Sequence, residues 1–174
     1  METLECIRTR RSRRLFLGKR VSDEIIQKII KCAISSPSSV DCQPWHFIVV
    51  QDKNRREVLA KLKETDNRQH ILTAPILIVV CVDTKKSPSR YIEDGVCATQ
   101  NILLTVHDLG LGSVYVTGGK PANPKIALRI KQILSLPDRI MPISILPVGY
   151  PDPSEVLDQK SLVKVTDVIH NDKW

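Results

Sequence analysis

The chain has 174 residues, of which 42% are hydrophobic and 26% are charged, proportions that are ordinary for a globular domain of this length. No apolar stretch is long enough to cross a bilayer and the first residues lack the apolar core of a signal peptide, so we expect one cytoplasmic domain over residues 1–174. The formal net charge of +7 favours anionic partners, without choosing among nucleic acid, a membrane surface and a phosphate-bearing cofactor.

The first half of the chain predicts two helices and two strands. A helix begins after the N-cap Ser22, because apolar residues recur on one face as far as Ile34 and acids occupy the first turn. Residues 46–50 predict a short apolar strand, and residues 54–64 an amphipathic helix. Residues 76–82, ILIVVCV, are typical of a strand buried on both faces, which requires a layer of structure above and below it.

The second half predicts further helices and strands in alternation. Residues 90–109 predict a long helix rich in Ala, Val, Ile and Leu, and residues 113–116 a strand. Asn123 is a plausible cap for a helix that begins at Pro124, and residues 142–148 predict the last strand. The residues alone therefore indicate layers of helix and sheet, two or three deep. They offer neither a G-x-G-x-x-G fingerprint nor a Walker lysine motif.

The cysteines do not suggest a disulfide framework or a zinc site. Their number is odd, their spacings are irregular, and no Cys-x-x-Cys pair occurs. We expect reduced, mostly buried thiols, with a cysteine nucleophile or redox pair as the alternative. The five are Cys6, Cys32, Cys42, Cys81 and Cys97.

Residues 8–14, RTRRSRR, carry five arginines in seven residues and leave three interpretations open. They can form a solvated basic surface, or a nucleic-acid patch that neutralises phosphates. The aromatic content of 4% disfavours the second, because single-strand binders stack bases on aromatic side chains. The third interpretation is one phosphate held by Arg10, Ser12 and Arg14, whose guanidinium forks and hydroxyl match phosphate oxygens.

Two further stretches combine small and polar residues between regular elements. In SPSSVDCQPW, residues 36–45, the loop is either a plain connection in which Trp45 fills the core or part of a site. In TGGK, residues 117–120, the paired glycines form an ordinary turn or let backbone N–H groups approach a ligand closely.

Taken together, these pieces resemble the FMN-dependent nitroreductase family. In this chain the pieces follow the order of the family: R-R-S-x-R, SPSS-x-D-x-QPWHFIVV, APILIVV, D-G-x-x-x-x-QNILL, LGLGS, a glycine turn, LPVGYP and a late lysine before a terminal Trp. The resemblance implies an α+β fold with a central, mostly antiparallel sheet flanked by helices. It also implies an intertwined homodimer in which residues 157–174 lie on the partner subunit and two FMN molecules occupy the interface.

The resemblance also implies contacts to the FMN phosphate. Arg10, Ser12 and Lys160 would hold the phosphate, and Arg11 would add side-chain or backbone contacts. Arg14 would sit at the N1 and O2 edge of the flavin ring, where its positive charge stabilises developing negative charge.

Other positions would surround the flavin ring, according to the same resemblance. The wall from the partner subunit would be Pro37, Ser38 and Ser39, with Asp41 at the pyrimidine edge, Gly118 or Gly119 giving an N–H toward N5, and Gly149 passing close to the cofactor. Asp41 stands where the family usually has Asn, and its charge should make the flavin harder to reduce. The short segment between Val82 and Tyr91 predicts an open, weakly selective substrate pocket.

The implied activity is an oxidoreductase that takes hydride from NADH or NADPH onto flavin N5 and reduces a nitroaromatic, quinone or similar small acceptor by a ping-pong mechanism. We name no catalytic side chain and no metal ligand, because the flavin carries the chemistry. The alternative within the family is dehydrogenation, dehalogenation or flavin breakdown. The alternative from another class is a basic nucleic-acid-binding protein that uses residues 8–14.

Overall fold

The fold is built around an antiparallel sheet. The computed structural model describes residues 1–62, 69–118 and 124–174. Strand β1 (Trp45–Val50) pairs with β2 (Ile76–Asp83), and β2 pairs in turn with β5 (Ile140–Gly149). The short strands β3 (Gly112–Ser113) and β4 (Val116–Thr117) both pair with the other edge of β5. All four pairings are antiparallel, which confirms the predicted α+β fold with a mostly antiparallel sheet.

Helices cover both faces of this sheet. Two of them begin at side-chain caps: the Ser22 hydroxyl accepts from the Ile25 N–H at 3.4 Å, and the Asp52 carboxylate accepts from the Arg55 N–H at 2.8 Å. In the described ranges, no helix has both the length and the apolar character needed to span a membrane. The helices are α1 (Thr3–Thr9), α2 (Asp23–Ala33), α3 (Lys53–Ala60), α4 (Gln69–Thr73), α5 (Tyr91–Asp108) and α6 (Pro124–Leu134).

Strand β2 is the centre of the core, and all eight of its residues are buried. Because side chains alternate along a strand, Ile78 and its neighbours on one face pack with α2 and α5. Val79 and its neighbours on the other face pack with α3, α4 and α6. The prediction of a strand covered on both sides is therefore confirmed, and the molecule has three layers.

Several boundaries differ from the sequence predictions. The helix predicted over residues 54–64 is observed as α3, which ends at Ala60; residues 63 and 64 of the predicted range lie outside the described residues. The proposed cap Asn123 also lies outside them. The single strand predicted over residues 113–116 is divided into β3 and β4. Helices α1 and α4 were not predicted, since they are short and bury only one or two side chains each.

The cysteines are all free, as expected, but they are not mostly buried. Only Cys6 and Cys81 are buried, whereas Cys32 is exposed and Cys42 and Cys97 are half-buried. Burial raises the pKa of the Cys81 thiol to about 12, which makes it inert as a nucleophile near neutral pH.

Candidate functional site

A pocket of about 430 Å³ forms where the two ends of the chain meet. One side is the segment that follows α1, and the other is the segment that follows β5. Its lining residues are Arg10, Arg11, Ser12, Arg14, Glu155, Val156, Leu157, Asp158 and Lys160. We call this cavity the basic pocket, because four cations and a hydroxyl from distant parts of the sequence converge there.

Main-chain hydrogen bonds hold the N-terminal side of the basic pocket against the sheet. The Arg13 N–H donates to the Ser113 carbonyl in β3 at 2.9 Å, and the Leu17 N–H donates to the Tyr150 carbonyl, just after β5, at 2.9 Å. The arginine-rich segment is thus an extended chain lying along the sheet edge, which gives its side chains a fixed backbone.

Two cations of the basic pocket bond to carbonyl oxygens across it. The Lys160 ammonium donates to the Arg8 carbonyl at 2.9 Å, and the Arg11 guanidinium donates to the Asp158 carbonyl. A carbonyl is neutral, so these bonds orient the cations without cancelling their charge. The pocket therefore keeps positive charge available for an anion.

Glu155 is an acid in the wall of the basic pocket that the sequence analysis did not single out. One of its oxygens accepts from the Arg14 N–H at 2.7 Å, and the other lies 3.9 Å from the Arg13 guanidinium. The side chain is only 8% exposed. Glu155 therefore ties the two ends of the chain together and neutralises part of the arginine charge.

His107 on α5 lies beside the same arginines. Its Nε2 is 2.9 Å from the Thr9 hydroxyl oxygen. Burial, followed by the positive charges of Arg10 and Arg13, lowers the pKa of His107. The imidazole consequently favours its neutral form next to the basic pocket.

Residues 36–43 form a second notable feature, which we call the 36–43 loop. Val40, Asp41 and Gln43 have φ angles of 47°, 53° and 45°, in the left-handed region that non-glycine residues disfavour by about 1–2 kcal/mol each. Val40 is 94% exposed, so its side chain gains little packing within the chain. Contacts made by neighbouring groups must hold this loop in place.

Those contacts converge on Asp94, a buried residue in the first turn of α5. Its Oδ1 accepts from the Ser39 N–H at 2.9 Å, and its Oδ2 accepts from the Ser87 hydroxyl at 2.6 Å and the Cys42 thiol at 3.9 Å. Its main-chain carbonyl accepts from the Trp45 indole N–H at 3.1 Å. Asp94 begins the D-G motif of the sequence, but it was not predicted as a functional residue.

The sequence model of the nitroreductase family matches residues 7–69 and 56–150. The chain belongs to the nitroreductase family. A relative from Methanothermobacter thermautotrophicus, named as an inferred NADH dehydrogenase/NAD(P)H nitroreductase, is 40% identical over a 177-residue alignment. The alignment covers 100% of this chain and 88% of that protein. The resemblance drawn from the sequence motifs is thereby confirmed.

Solved structures agree with this assignment to the nitroreductase family. An inferred NADH dehydrogenase/NAD(P)H nitroreductase from Parabacteroides distasonis is 35% identical with a TM-score of 0.89, over 99% of this chain and 98% of that one. An FMN-dependent nitroreductase from Clostridium difficile is 27% identical with a TM-score of 0.83, over 99% and 100%. The nitroreductase-like fold predicted here is therefore confirmed along the chain.

Apart from the glycines, the site residues predicted from the nitroreductase resemblance fall into two separate groups within one chain. The phosphate group, including Arg10 and Lys160, lines the basic pocket. None of the residues of the 36–43 loop, from Pro37 to Asp41, is among the residues that the structure places around this pocket. The assignment of both groups to FMN stays a prediction.

Two glycines of the predicted nitroreductase site, Gly118 and Gly149, have structural roles within the chain. The Gly118 N–H donates to the Ile143 carbonyl at 2.8 Å, so it is engaged within the sheet. An N–H donor toward flavin N5 stays a prediction for Gly119, which lies outside the described residues. A Cβ at Gly149 would lie 2.5 Å from Pro75 Cδ, so close packing already requires glycine there.

Proposed function

We propose that this nitroreductase-family chain is an FMN-dependent oxidoreductase that takes hydride from NADH or NADPH and reduces nitroaromatic, quinone or similar acceptors in alternating half-reactions. The observation that carries the proposal is the basic pocket, because its cations and hydroxyl suit the phosphate of FMN. The relatives support it, since one is named for NAD(P)H and nitroreductase activity and another for FMN dependence.

The donors of the basic pocket fit a dianionic phosphate. The Arg10 guanidinium and the Lys160 ammonium would each contact phosphate oxygens, and the Ser12 hydroxyl would donate a hydrogen bond. Arg11 would add charge from the rim. Because Lys160 and Arg11 bond to carbonyls within the chain, they can turn toward an anion without leaving a carboxylate unpaired.

Arg14 and Asp41 would act on the charge of the flavin ring in opposite directions. FMN supplies the hydride-accepting and hydride-donating chemistry when bound. Arg14 would stabilise negative charge that develops at the N1 and O2 edge, which favours reduction. The Asp41 carboxylate would accept from the pyrimidine edge while its charge opposes reduction.

Purified protein tests the proposal directly. We expect flavin absorption bands, or uptake of about one FMN per chain when the protein is titrated with FMN. Arg10→Ala and Lys160→Ala should each weaken FMN binding about tenfold to a hundredfold, the value of a charged hydrogen bond. Riboflavin, which lacks the phosphate, should bind these variants and the wild type equally. Arg129→Ala removes an exposed arginine on α6 and is the matched control.

The outcomes of this titration separate the classes of function. A colourless protein that takes up no FMN would contradict the proposal. Salt-sensitive binding of DNA or RNA by that same protein would support the nucleic-acid alternative. Equal FMN affinity in wild type, Arg10→Ala and Lys160→Ala would show that the phosphate lies elsewhere.

We also propose a homodimer in which residues 157–174 lie on the partner subunit. Leu157 is half-buried and residues 158–174 are all exposed, which is unfavourable for the apolar side chains of this tail unless something covers them. The exposed apolar residues include Leu162, Val163, Val165, Val168, Ile169 and Trp174, the last 99% exposed.

The dimer proposal is tested by the mass of the full chain in sedimentation equilibrium. We expect twice the chain mass for the wild type and a shift toward the monomer for Val163→Asp. Val58→Asp, at an exposed position of α3, is the control that adds the same charge away from the tail. A wild-type chain that is monomeric at all concentrations would contradict the proposal.

The short connection between β2 and α5 bears on acceptor choice. It spans only residues 84–90 and is fixed by the Thr84 N–H, which donates to the Arg139 carbonyl at 2.9 Å. With so little chain over this end of the sheet, we propose an open pocket of low selectivity. Similar, slow rates across nitroaromatics and quinones would support it, and a strong preference for one acceptor would contradict it.

A further inference from the structure

The 36–43 loop has strained backbone φ angles, and the side chain of Val40 at its tip is almost fully exposed. Three of its four residues from Val40 to Gln43 lie in the left-handed region, and none of them is glycine. Inside the loop, the Ser38 hydroxyl accepts from the Gln43 N–H at 3.0 Å and the Gln43 side chain donates to Asp41 at 3.1 Å. These bonds shape the loop but do not attach it to the rest of the molecule.

Asp94 attaches the loop to the rest of the molecule at two points. Its carboxylate accepts from the Ser39 N–H, just before the left-handed Val40 and Asp41, and faces the Cys42 thiol, just after these two residues. The strand that follows is fixed through the Trp45 indole, which donates to the Asp94 carbonyl. One residue of α5 thus fixes the loop on either side of Val40 and Asp41.

The location of Asp94 makes it suited to this task. The first turn of a helix favours a carboxylate, because unpaired N–H groups and the helix dipole place positive charge there. The side chain is buried, with the residue 4% exposed, so solvent does not compete for its hydrogen bonds. Ser87, from the connection before α5, occupies the other oxygen at 2.6 Å and fixes its orientation.

We propose that Asp94 is the positioning residue of the reaction site, holding Ser38, Ser39 and Asp41 in the geometry that the flavin ring requires. This inference rests on the proposed function, in which those residues line the ring. Asp94 acts through the loop and contacts no reacting atom. Its contribution depends on accepting hydrogen bonds at fixed positions, so shape and acceptor capacity matter more than charge.

Three substitutions test the role of Asp94. Asp94→Ala removes both acceptors and should slow flavin reduction by NAD(P)H on the order of a hundredfold, the usual cost of misplacing a group by about 1 Å. It should leave FMN affinity within about fivefold, because the basic pocket supplies the phosphate contacts. Asp94→Asn should restore most of the rate, since its oxygen can accept from Ser39 while its amide donates to the Ser87 hydroxyl. Glu93→Gln, at the adjacent exposed acid, is the matched control.

Spectroscopy gives a measurement that a merely structural role would not change. In Asp94→Ala loaded with FMN, the visible bands and fluorescence of the flavin should shift relative to wild type, because the ring meets an altered wall. Unchanged flavin spectra together with an unchanged reduction rate would overturn the proposal. If Asp94→Ala does not fold, Ser87→Ala decides, with a several-fold loss of rate expected and an unchanged rate overturning the proposal.

The attachment itself is measured in the absence of FMN. Cys42 should react with iodoacetamide about tenfold faster in Asp94→Ala than in wild type, with the exposed Cys32 as the internal reference in peptide mass spectrometry. Faster labelling without slower flavin reduction would overturn the positioning role. Wild-type protein that takes up no FMN would overturn the proposed function, while the labelling would still show whether Asp94 holds the loop.

Discussion

The basic pocket and the 36–43 loop are two solutions to placing polar groups at a surface. The pocket joins the two ends of the chain, its cations are half-buried or exposed, and two of them, Arg11 and Lys160, bond to carbonyls. The loop is one short segment with a strained backbone, attached through the buried carboxylate of Asp94. Cations can attract an anion even where they are solvated, whereas polar groups that orient a planar ring must be held in place by buried contacts. The two features should therefore respond differently to substitution.

The largest effect on stability is expected at Asp94. Asp94→Ala leaves the Ser39 N–H and the Ser87 hydroxyl without their acceptor in a buried site and should lower the free energy of unfolding by about 3 kcal/mol. Urea unfolding of the FMN-free protein measures this, with Glu93→Ala expected to change less than about 0.5 kcal/mol. Equal effects of the two variants would contradict the role of the buried Asp94 carboxylate in attaching the loop.

The basic pocket should depend on packing beneath it rather than on one polar residue. A Cβ at Gly149 would lie 2.5 Å from Pro75 Cδ and 3.3 Å from Phe16 Cβ, where the two ends of the chain meet the sheet. We expect Gly149→Ala to lower the free energy of unfolding by about 2 kcal/mol, as overpacking does. Gly18→Ala, with no atom within 4 Å of the added Cβ, is the control. A Gly149→Ala variant that loses FMN affinity at unchanged stability would instead favour a direct cofactor role for Gly149.

The strain in the loop predicts a smaller effect of opposite sign. Val40→Gly relieves a left-handed β-branched residue, and after the entropic cost of glycine it should raise the free energy of unfolding by about 0.5 kcal/mol. Val156→Gly is a matched control, because Val156 is 93% exposed without a positive φ. Thermal unfolding measures both. Destabilisation by Val40→Gly beyond that of Val156→Gly would show that the Val40 side chain makes contacts outside its own chain.

The sequence predicted the sheet, the long helix and the cations of the basic pocket, for separate physical reasons. A strand buried on both faces, such as β2, is recognisable in the sequence as a continuous run of apolar residues. The high density of arginines in residues 8–14 is equally easy to recognise. Asp94 could not be assigned a partner in advance, because Ser39 and Ser87 meet it only after α5 packs beside the loop. The left-handed φ angles were equally hidden, since valine and glutamine seldom adopt them.

The smallest expected effect concerns His107, which reports on the basic pocket through its pKa. Burial and the charges of Arg10 and Arg13 lower this pKa in the folded chain. As the pH falls through about 6.5, the unfolded chain therefore binds a proton first, and stability decreases until the folded-state pKa is passed. Above about pH 6.5 the contribution is constant. His107→Gln should remove this part of the pH dependence of the free energy of unfolding, measured by urea unfolding between about pH 5 and 7, the range in which histidine titrates.

The same histidine can show where an anion binds. Removing a positive charge beside an imidazole makes protonation easier, so Arg10→Ala should raise the pKa of His107 in an NMR titration, while Arg129→Ala on α6 should not. Saturation with inorganic phosphate should raise it too, because bound phosphate offsets the arginine charge. A variant of the loop, Asp94→Ala, should leave the pKa of His107 unchanged, since the carboxylate belongs to the other feature. If saturation with phosphate leaves the pKa of His107 unchanged, the anion binds away from Arg10, and the positive charge of the basic pocket does not serve the proposed ligand.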